Sequence, residues 1–204
     1  PQEDFDRYPR NEAGDAALLA SAGCDLLFAP DRAAMYPEGF ATSVIVANVS
    51  TPLEGEFRPH FFAGVATVVT KLLLQCSPDA ALFGEKDYQQ LLVIKRMVQD
   101  MGFPIEIIGA PTLREEDGLA MSSRNAYLSE PELVIARQLN GVLAEAGLAA
   151  ASGAALVTVE QDAREALLRA GFSHVDYVAV RRADDLAVFE RDRVDAPGRI
   201  LTAA

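Results

Sequence analysis

A glycine turn, a lysine and an acid follow one another in Gly84-Glu85-Lys86-Asp87-Tyr88-Gln89-Gln90, directly after the apolar run Ala80-Ala81-Leu82-Phe83. The segment from 87 to 101 that comes next is amphipathic, so the glycine marks the place where a strand hands over to a helix. Such a place collects free backbone N–H donors and the positive end of a helix dipole, and it suits a phosphate or carboxylate. Lys86 reads as a point charge for a phosphate group, with Gly84 allowing close backbone approach. A solvated surface lysine is the plain alternative; the strand and glycine before it favour the first reading. Asp87 and Gln90 have the spacing of a helix capping box, which would stabilise the helix whatever the ligand. Gln90 could also turn its amide outward to hold a hydroxyl or carboxylate.

Two further polar groups lie along the chain. Met121-Ser122-Ser123-Arg124-Asn125 follows a Gly-containing loop; an arginine with paired hydroxyls can hold a phosphate, or the arginine can pair with Glu115, Glu116 or Asp117. Glu54 and Arg58, in Glu54-Gly55-Glu56-Phe57-Arg58-Pro59-His60, either pair with each other or orient a ligand. Of the two histidines, His174 sits at a strand start and reads as a surface residue. The chain contains no Walker A, GxGxxG, HExxH or CxxC motif and no Ser-His-Asp order, which disfavours P-loop, dehydrogenase, zinc and serine-hydrolase chemistry.

The elements that must carry these residues alternate in the first half. Residues 11–22 read as a helix stopped at Gly23, 25–29 as a buried strand, 44–49 as a β-branched strand, and 62–76 as a deeply packed helix. Then come a strand at 80–83, a helix at 87–101 and a strand at 105–108. Strands separated by helices imply parallel pairing, and ligands bind beyond the strands' carboxyl ends. The second half differs: Ser129-Glu130-Pro131-Glu132 is a capping box opening a helix to about 146, a second helix runs over 155–170, and strands follow at 174–180 and 199–202. The expected architecture is α/β, a partial doubly wound parallel sheet in residues 1–111 followed by a small α+β domain in 112–204.

Composition narrows the partners. With 204 residues, half of them hydrophobic and no Trp, the chain can bury an aliphatic core without metal or disulfides. A net charge of −12 argues against nucleic acid, whose phosphates require basic surface. Cys24 and Cys76 are expected to be buried free thiols. The apolar stretch 61–74 is interrupted by Thr67, Thr70 and Lys71 and is too short to span a bilayer, so a cytoplasmic location is the default. Pro1 stands without an initiator Met and the last residues read as a strand without a polar tail, so both ends look cut.

Taken together, Phe83-Gly84-Glu85-Lys86-Asp87-Tyr88-Gln89-Gln90 and Met121-Ser122-Ser123-Arg124-Asn125 resemble the pantoate–β-alanine ligase (pantothenate synthetase) family. Asp4-Phe5-Asp6-Arg7-Tyr8-Pro9-Arg10, Met35-Tyr36-Pro37-Glu38-Gly39 and Leu53-Glu54-Gly55 extend the likeness over nearly the whole chain. The resemblance implies a Rossmann-like fold of the class I synthetase and nucleotidyltransferase type, and ATP-dependent joining of pantoate to β-alanine through a pantoyl adenylate. It implies that Gly84, Glu85, Lys86, Asp87 and Leu113 bind ATP. Met121, Ser122, Ser123 and Arg124 then form a mobile loop over the triphosphate, Lys86, Ser122, Ser123 and Arg124 being catalytic. Gln90 holds pantoate, with Tyr8, Glu54 and Arg58 lining or supporting the site. Mg²⁺ with unassigned ligands and a homodimer are further implications. Three departures accompany it. The family's HxGH segment is absent from these residues, its histidine after Arg-Pro is displaced by one position at His60, and its final strand is missing. This chain alone is therefore expected to hold half an ATP site and to be inactive. The competing readings are a related nucleotidyltransferase with another acceptor, and a non-catalytic truncated module.

Overall fold

The computed structural model describes residues 10–204. Asn11 caps α1 (Glu12–Ser21) by accepting from Gly14 N at 3.2 Å, and α2 (Arg32–Met35) is one turn capped by Asp31. After α3 (Glu54–Phe57) comes α4 (Phe61–Cys76), whose buried Phe62, Ala66, Val69, Thr70 and Leu73 recur at helical spacing and form one apolar stripe. Ser77, in a left-handed conformation at φ 45°, ends it.

A parallel unit follows. β1 (Ala80–Gly84) leads through a 3₁₀ turn (Glu85–Asp87) into α5 (Tyr88–Asp100), and the chain returns as β2 (Glu106–Ala110), with Ala80 paired to Glu106 and Gly84 to Ala110. α5 buries Val93, Ile94, Met97 and Val98 against α4 and the inner faces of Ala81, Phe83 and Ile107, while Leu91, also buried, lies by Gly109. This is the first core.

The second half builds its own. α6 (Glu130–Ala136) opens on the expected capping box, in which Ser129 N donates to Glu132 at 2.8 Å. One non-helical residue, Arg137, separates it from α7 (Gln138–Ala151), so this helical region runs past the expected end near 146. α8 (Leu156–Ala170) stops at Gly171, φ 110°. β3 (Tyr177–Arg182) and β4 (Gly198–Ala203) pair antiparallel. Leu167, Val175, Val178, Val180 and Phe189 form the centre of this core.

The architecture is thus mixed α/β with a two-stranded parallel sheet and a two-stranded antiparallel one. Two expected strands do not form. Residues 25–29 make no ladder, and Leu26 is 84% exposed rather than buried. A strand needs a neighbour for its backbone groups, and among the described residues none lies beside this run. Val44 and Val46 face the first core with Ile45 outside, the alternation of a strand, but Val49, three residues after Val46, breaks that period by also entering the core. Their backbone groups bond to side chains instead: Val44 N donates to Thr67 Oγ1 at 2.9 Å, and Val46 O accepts from the Ser50 hydroxyl. Left-handed Asn48 (φ 62°) then turns the chain away. Both cysteines are exposed, not buried.

Candidate functional site

The first wall of the site is fixed by a glutamine. Gln89 lies with Val93 and Met97 at four-residue spacing on the buried face of α5. Its amide nitrogen donates to Val49 O (2.9 Å) and Pro52 O (2.7 Å), while its oxygen accepts from Glu54 N (3.2 Å). These bonds pin the turn before α3 to the start of α5. Gly55 allows the tight fit, because a Cβ there would collide with the Ser50 carbonyl oxygen. α3 so held presents Glu54 and Arg58, which pair at 3.1 Å, with the Arg58 guanidinium 3.9 Å from the centroid of the Phe61 ring.

The second wall is the turn after β1. Asp87 takes the N-cap position of α5 yet makes no capping hydrogen bond. The expected box with Gln90 is not formed, because the 3₁₀ turn leaves Asp87 at φ −94°, ψ 60°, outside the extended conformation that aims a cap at the next N–H groups. Gly84 has an ordinary φ of −68° and nothing within 4 Å of where a Cβ would stand. Its missing side chain leaves open space above the turn; no backbone strain requires a glycine. Lys86 makes no hydrogen bond or ion pair with any described residue.

The third wall comes from β3 and β4. Tyr177 packs its ring against Phe57, centroids 5.8 Å apart, and Arg199 reaches Glu85 at 3.4 Å. The Tyr88 hydroxyl donates to Ala183 O at 2.7 Å. Burial pushes the Tyr177 phenol up to about 12, and the charges of Glu54 and Asp176 add to the effect. The phenol is therefore a neutral donor throughout the physiological range.

These walls enclose a cavity of about 580 Å³ that includes Glu54, Arg58, Lys86, Asp87, Gln90 and Tyr177 in its lining. A second cavity of about 510 Å³ lies beyond Lys86 and Arg114, which border both, and reaches Ser122, Asn125 and Asn140. Lys86 stands on the ridge between them. Such volumes suit small organic ligands.

The sequence-predicted residues divide accordingly. Glu85, Lys86, Asp87, Gln90, Glu54 and Arg58 meet at the first cavity, and Ser122 meets Lys86 at the second. Gly84, Leu113, Met121, Ser123 and Arg124 line neither. The loop that carries the last three, together with Ser122, is ordered locally: Met121 N donates to Leu113 O (2.9 Å), Ser122 Oγ accepts from Arg124 N (3.3 Å) and Asn125 donates to Ala120 O (3.0 Å). Asp117, held below the usual carboxylate range by the Leu119 N–H and then by Arg137, pairs with Arg137. Tyr8 lies outside the described residues. His60 is exposed at the start of α4 and lines neither cavity. Sequence reasoning passed over Gln89, Tyr88, Arg114, Tyr177 and Arg199. The spacing 89, 93, 97 was a usable signal for Gln89; the others come from distant segments or give no local pattern.

Among the described residues no three His, Cys, Asp or Glu side chains cluster as a metal site. No helix among them is long and apolar enough to cross a membrane.

The family model for pantoate-beta-alanine ligase matches residues 1–204. The chain is 56% identical over 205 residues to the pantothenate synthetase of Caulobacter vibrioides, covering 100% of itself and 72% of that relative. To that of Paramagnetospirillum magneticum it is 58% identical over 204 residues, covering 100% and 71%. Among solved structures, pantothenate synthetase from Thermus thermophilus superposes with a TM-score of 0.90 at 46% identity, covering 100% of this chain and 74% of that one. Pantoate-beta-alanine ligase from Francisella tularensis, complexed with beta-gamma ATP and beta-alanine, gives 0.74 at 32% identity, covering 86% and 64%.

Proposed function

The chain belongs to the pantoate–β-alanine ligase family, the enzymes of pantothenate synthesis, and on that footing we propose that Lys86 binds the phosphates of ATP at the ridge between the two cavities. The observation that carries this reading is an ammonium without a partner among the described residues at the start of α5, where backbone N–H groups and the helix dipole add to it. Gly84, Glu85 and Asp87 line the same turn, Glu85 and Gly84 contributing mainly backbone. Gln90, whose amide has no partner among the described residues, holds pantoate in the first cavity beside the Glu54–Arg58 pair. Tyr8 supports pantoate from outside the described residues.

In the first step a pantoate carboxylate oxygen attacks the α-phosphorus of ATP and pyrophosphate departs. The pentacoordinate transition state gains negative charge, which Lys86 and the N–H donors stabilise. In the second step the amine of β-alanine attacks the pantoyl carbonyl, and AMP leaves with the bond electrons. Neither step needs a side-chain nucleophile. Ser122 already borders the second cavity next to Lys86. Met121, Ser123 and Arg124, with Leu113 beneath them, are assigned to a loop that swings over the triphosphate during the reaction. Mg²⁺ would neutralise phosphate charge; a site without three protein ligands among the described residues fits a metal held chiefly by the nucleotide, with Asp87 a carboxylate of the cavity lining that is not paired to any described residue. The same reading divides the chain at 111/112, supported by two separate cores, and places the protein as a cytoplasmic homodimer.

The test uses the enzyme expressed from its complete coding sequence. Lys86→Ala should lower pantoate-dependent exchange between ATP and pyrophosphate by roughly 10²–10³-fold, the loss of one charge-assisted transition-state contact. The circular dichroism spectrum should be unchanged, since Lys86 is exposed. Exchange close to that of the parent enzyme would overturn the assignment.

A further inference from the structure

Lys86 is flanked in sequence by two acids, Glu85 and Asp87, on a chain of net charge −12. Adjacent side chains on the 3₁₀ turn leave the backbone about 120° apart, but side chains as long as glutamate and lysine can swing together at their tips, and a paired lysine is a poorer phosphate ligand. No such pair exists among the described residues, and Glu85 is engaged elsewhere. Its carboxylate is held from two sides. Below it, β2 offers Gly109, where a Cβ would come within 3.1 Å of Glu85 Oε1 and 3.3 Å of its Cγ, so the missing side chain leaves the place that Glu85 fills. Above it, Arg199 of β4 reaches Oε2 at 3.4 Å.

Arg199 is itself aimed by its neighbours. Its guanidinium lies 4.9 Å from the centroid of the Tyr88 ring, which is tethered by the hydroxyl bond to Ala183 O. Across the ladder its partner Arg181 is occupied by Glu160 at 2.8 Å, so the two arginines do not compete for one acid. Asp87, the other flanking acid, makes no pair with Lys86 either and opens on the cavity.

We propose that Arg199 is a positioning residue which holds Glu85 over Gly109 and away from Lys86, keeping the Lys86 ammonium available to the nucleotide. The inference rests on the reading of Lys86 as the phosphate ligand. It assigns the β3–β4 hairpin a part in the chemistry beyond walling the cavity: when the hairpin docks, Glu85 is drawn off and Lys86 is released for phosphate.

A double-variant experiment on the full-length enzyme separates this from a merely structural latch. Arg199→Ala frees Glu85 to pair with Lys86 and should raise KM for ATP up to about fivefold, with kcat changing less. Adding Glu85→Gln removes the competing charge and should return KM to within about 1.5-fold of the parent. A latch that only holds the hairpin would lose its remaining half in the double variant, which would then be no better than Arg199→Ala. That outcome, or an Arg199→Ala enzyme with the parent KM, overturns the proposal. Should Arg199→Ala fail to fold, Arg199→Gln keeps much of the side-chain length without charge and carries the same comparison. If Lys86→Ala leaves exchange intact, the reading of Lys86 fails. If Lys86→Ala abolishes exchange and Glu85→Gln does not rescue, the positioning role alone fails.

Discussion

Gln89 commits both ends of its amide to the backbone of residues 49–54, while Gln90, one position along, has no hydrogen-bond partner among the described residues. A helix turns about 100° per residue, so two adjacent glutamines cannot face the same way. Gln89→Ala would strip partners from two carbonyls and one N–H in a buried setting, and each group left unsatisfied costs about 1–3 kcal/mol. Allowing water to reach some of them, the expected loss is about 2–4 kcal/mol in urea unfolding. Gln89→Glu keeps the size and the acceptor for Glu54 N but sets a carboxylate against two carbonyl oxygens, and it should cost at least as much. Gln90→Ala should leave stability within about 0.5 kcal/mol of the parent, the usual range for a side chain without partners. An unchanged denaturation midpoint for both Gln89 variants would show that the 49–54 turn is held by something else. At this scale Lys86, Gln90 and the Glu54–Arg58 pair were legible in the chain, because each lies in a short polar segment beside an apolar run. Tyr177 and Arg199 were not. They reach the site only after folding brings a hairpin from the far end of the chain, and no local spacing records that.

Helices survived the passage from sequence to structure better than strands, for a physical reason. α4 and α5 satisfy their backbone groups internally, so an apolar stripe and a stop signal locate them. A strand is defined by a neighbour, and residues 25–29 and 44–49 have strand-like composition without one among the described residues. The capping box at Ser129 formed as read, whereas that at Asp87 did not, since a 3₁₀ turn ahead of α5 changes the cap's backbone. Two helical glycines put element-level packing to the test with opposite expected signs. Gly64, inside α4, has nothing within 4 Å of a Cβ; Gly64→Ala should stabilise by roughly 0.5–1 kcal/mol through helix propensity and a less free unfolded chain. Gly55→Ala drives a methyl into the Ser50 carbonyl, whose residue is itself tied to Val46 O, so α3 must shift bodily. The cost should be about 1–3 kcal/mol, as in overpacked sites. Because α3 carries Glu54 and Arg58, kcat/KM for pantoate should fall with it. Melting curves and steady-state kinetics on the two variants decide the matter; a Gly55→Ala enzyme with parent stability and kinetics would mean that the 50–55 contact is loose.

Two cores share this molecule, one centred on Val93, Ile94 and Met97 and the other on Leu167, Val175 and Val180. The contacts that join them near the site are mostly polar: the Tyr88 hydroxyl to Ala183, Arg199 to Glu85, and the Tyr177 ring on Phe57. Surface-type bonds of this kind are worth little individually, with exposed ion pairs contributing about 0–1 kcal/mol. The first cavity, by contrast, takes its lining from both halves, Glu54 and Gln90 on one side and Tyr177 and Leu201 on the other. A ligand seated there touches both halves at once and stabilises only the docked arrangement. At a concentration a hundred times its Kd, a ligand adds about 2.7 kcal/mol to the state that binds it. Amide hydrogen exchange on the full-length enzyme should therefore show slower exchange at both 88–100 and 177–182 when ATP and pantoate are added together. Tyr88→Phe, which removes the shortest of the joining hydrogen bonds, should weaken the response at 177–182 more than at 88–100. Protection confined to 88–100 in the parent enzyme would place the ligand on the first half alone and remove the hairpin from the site.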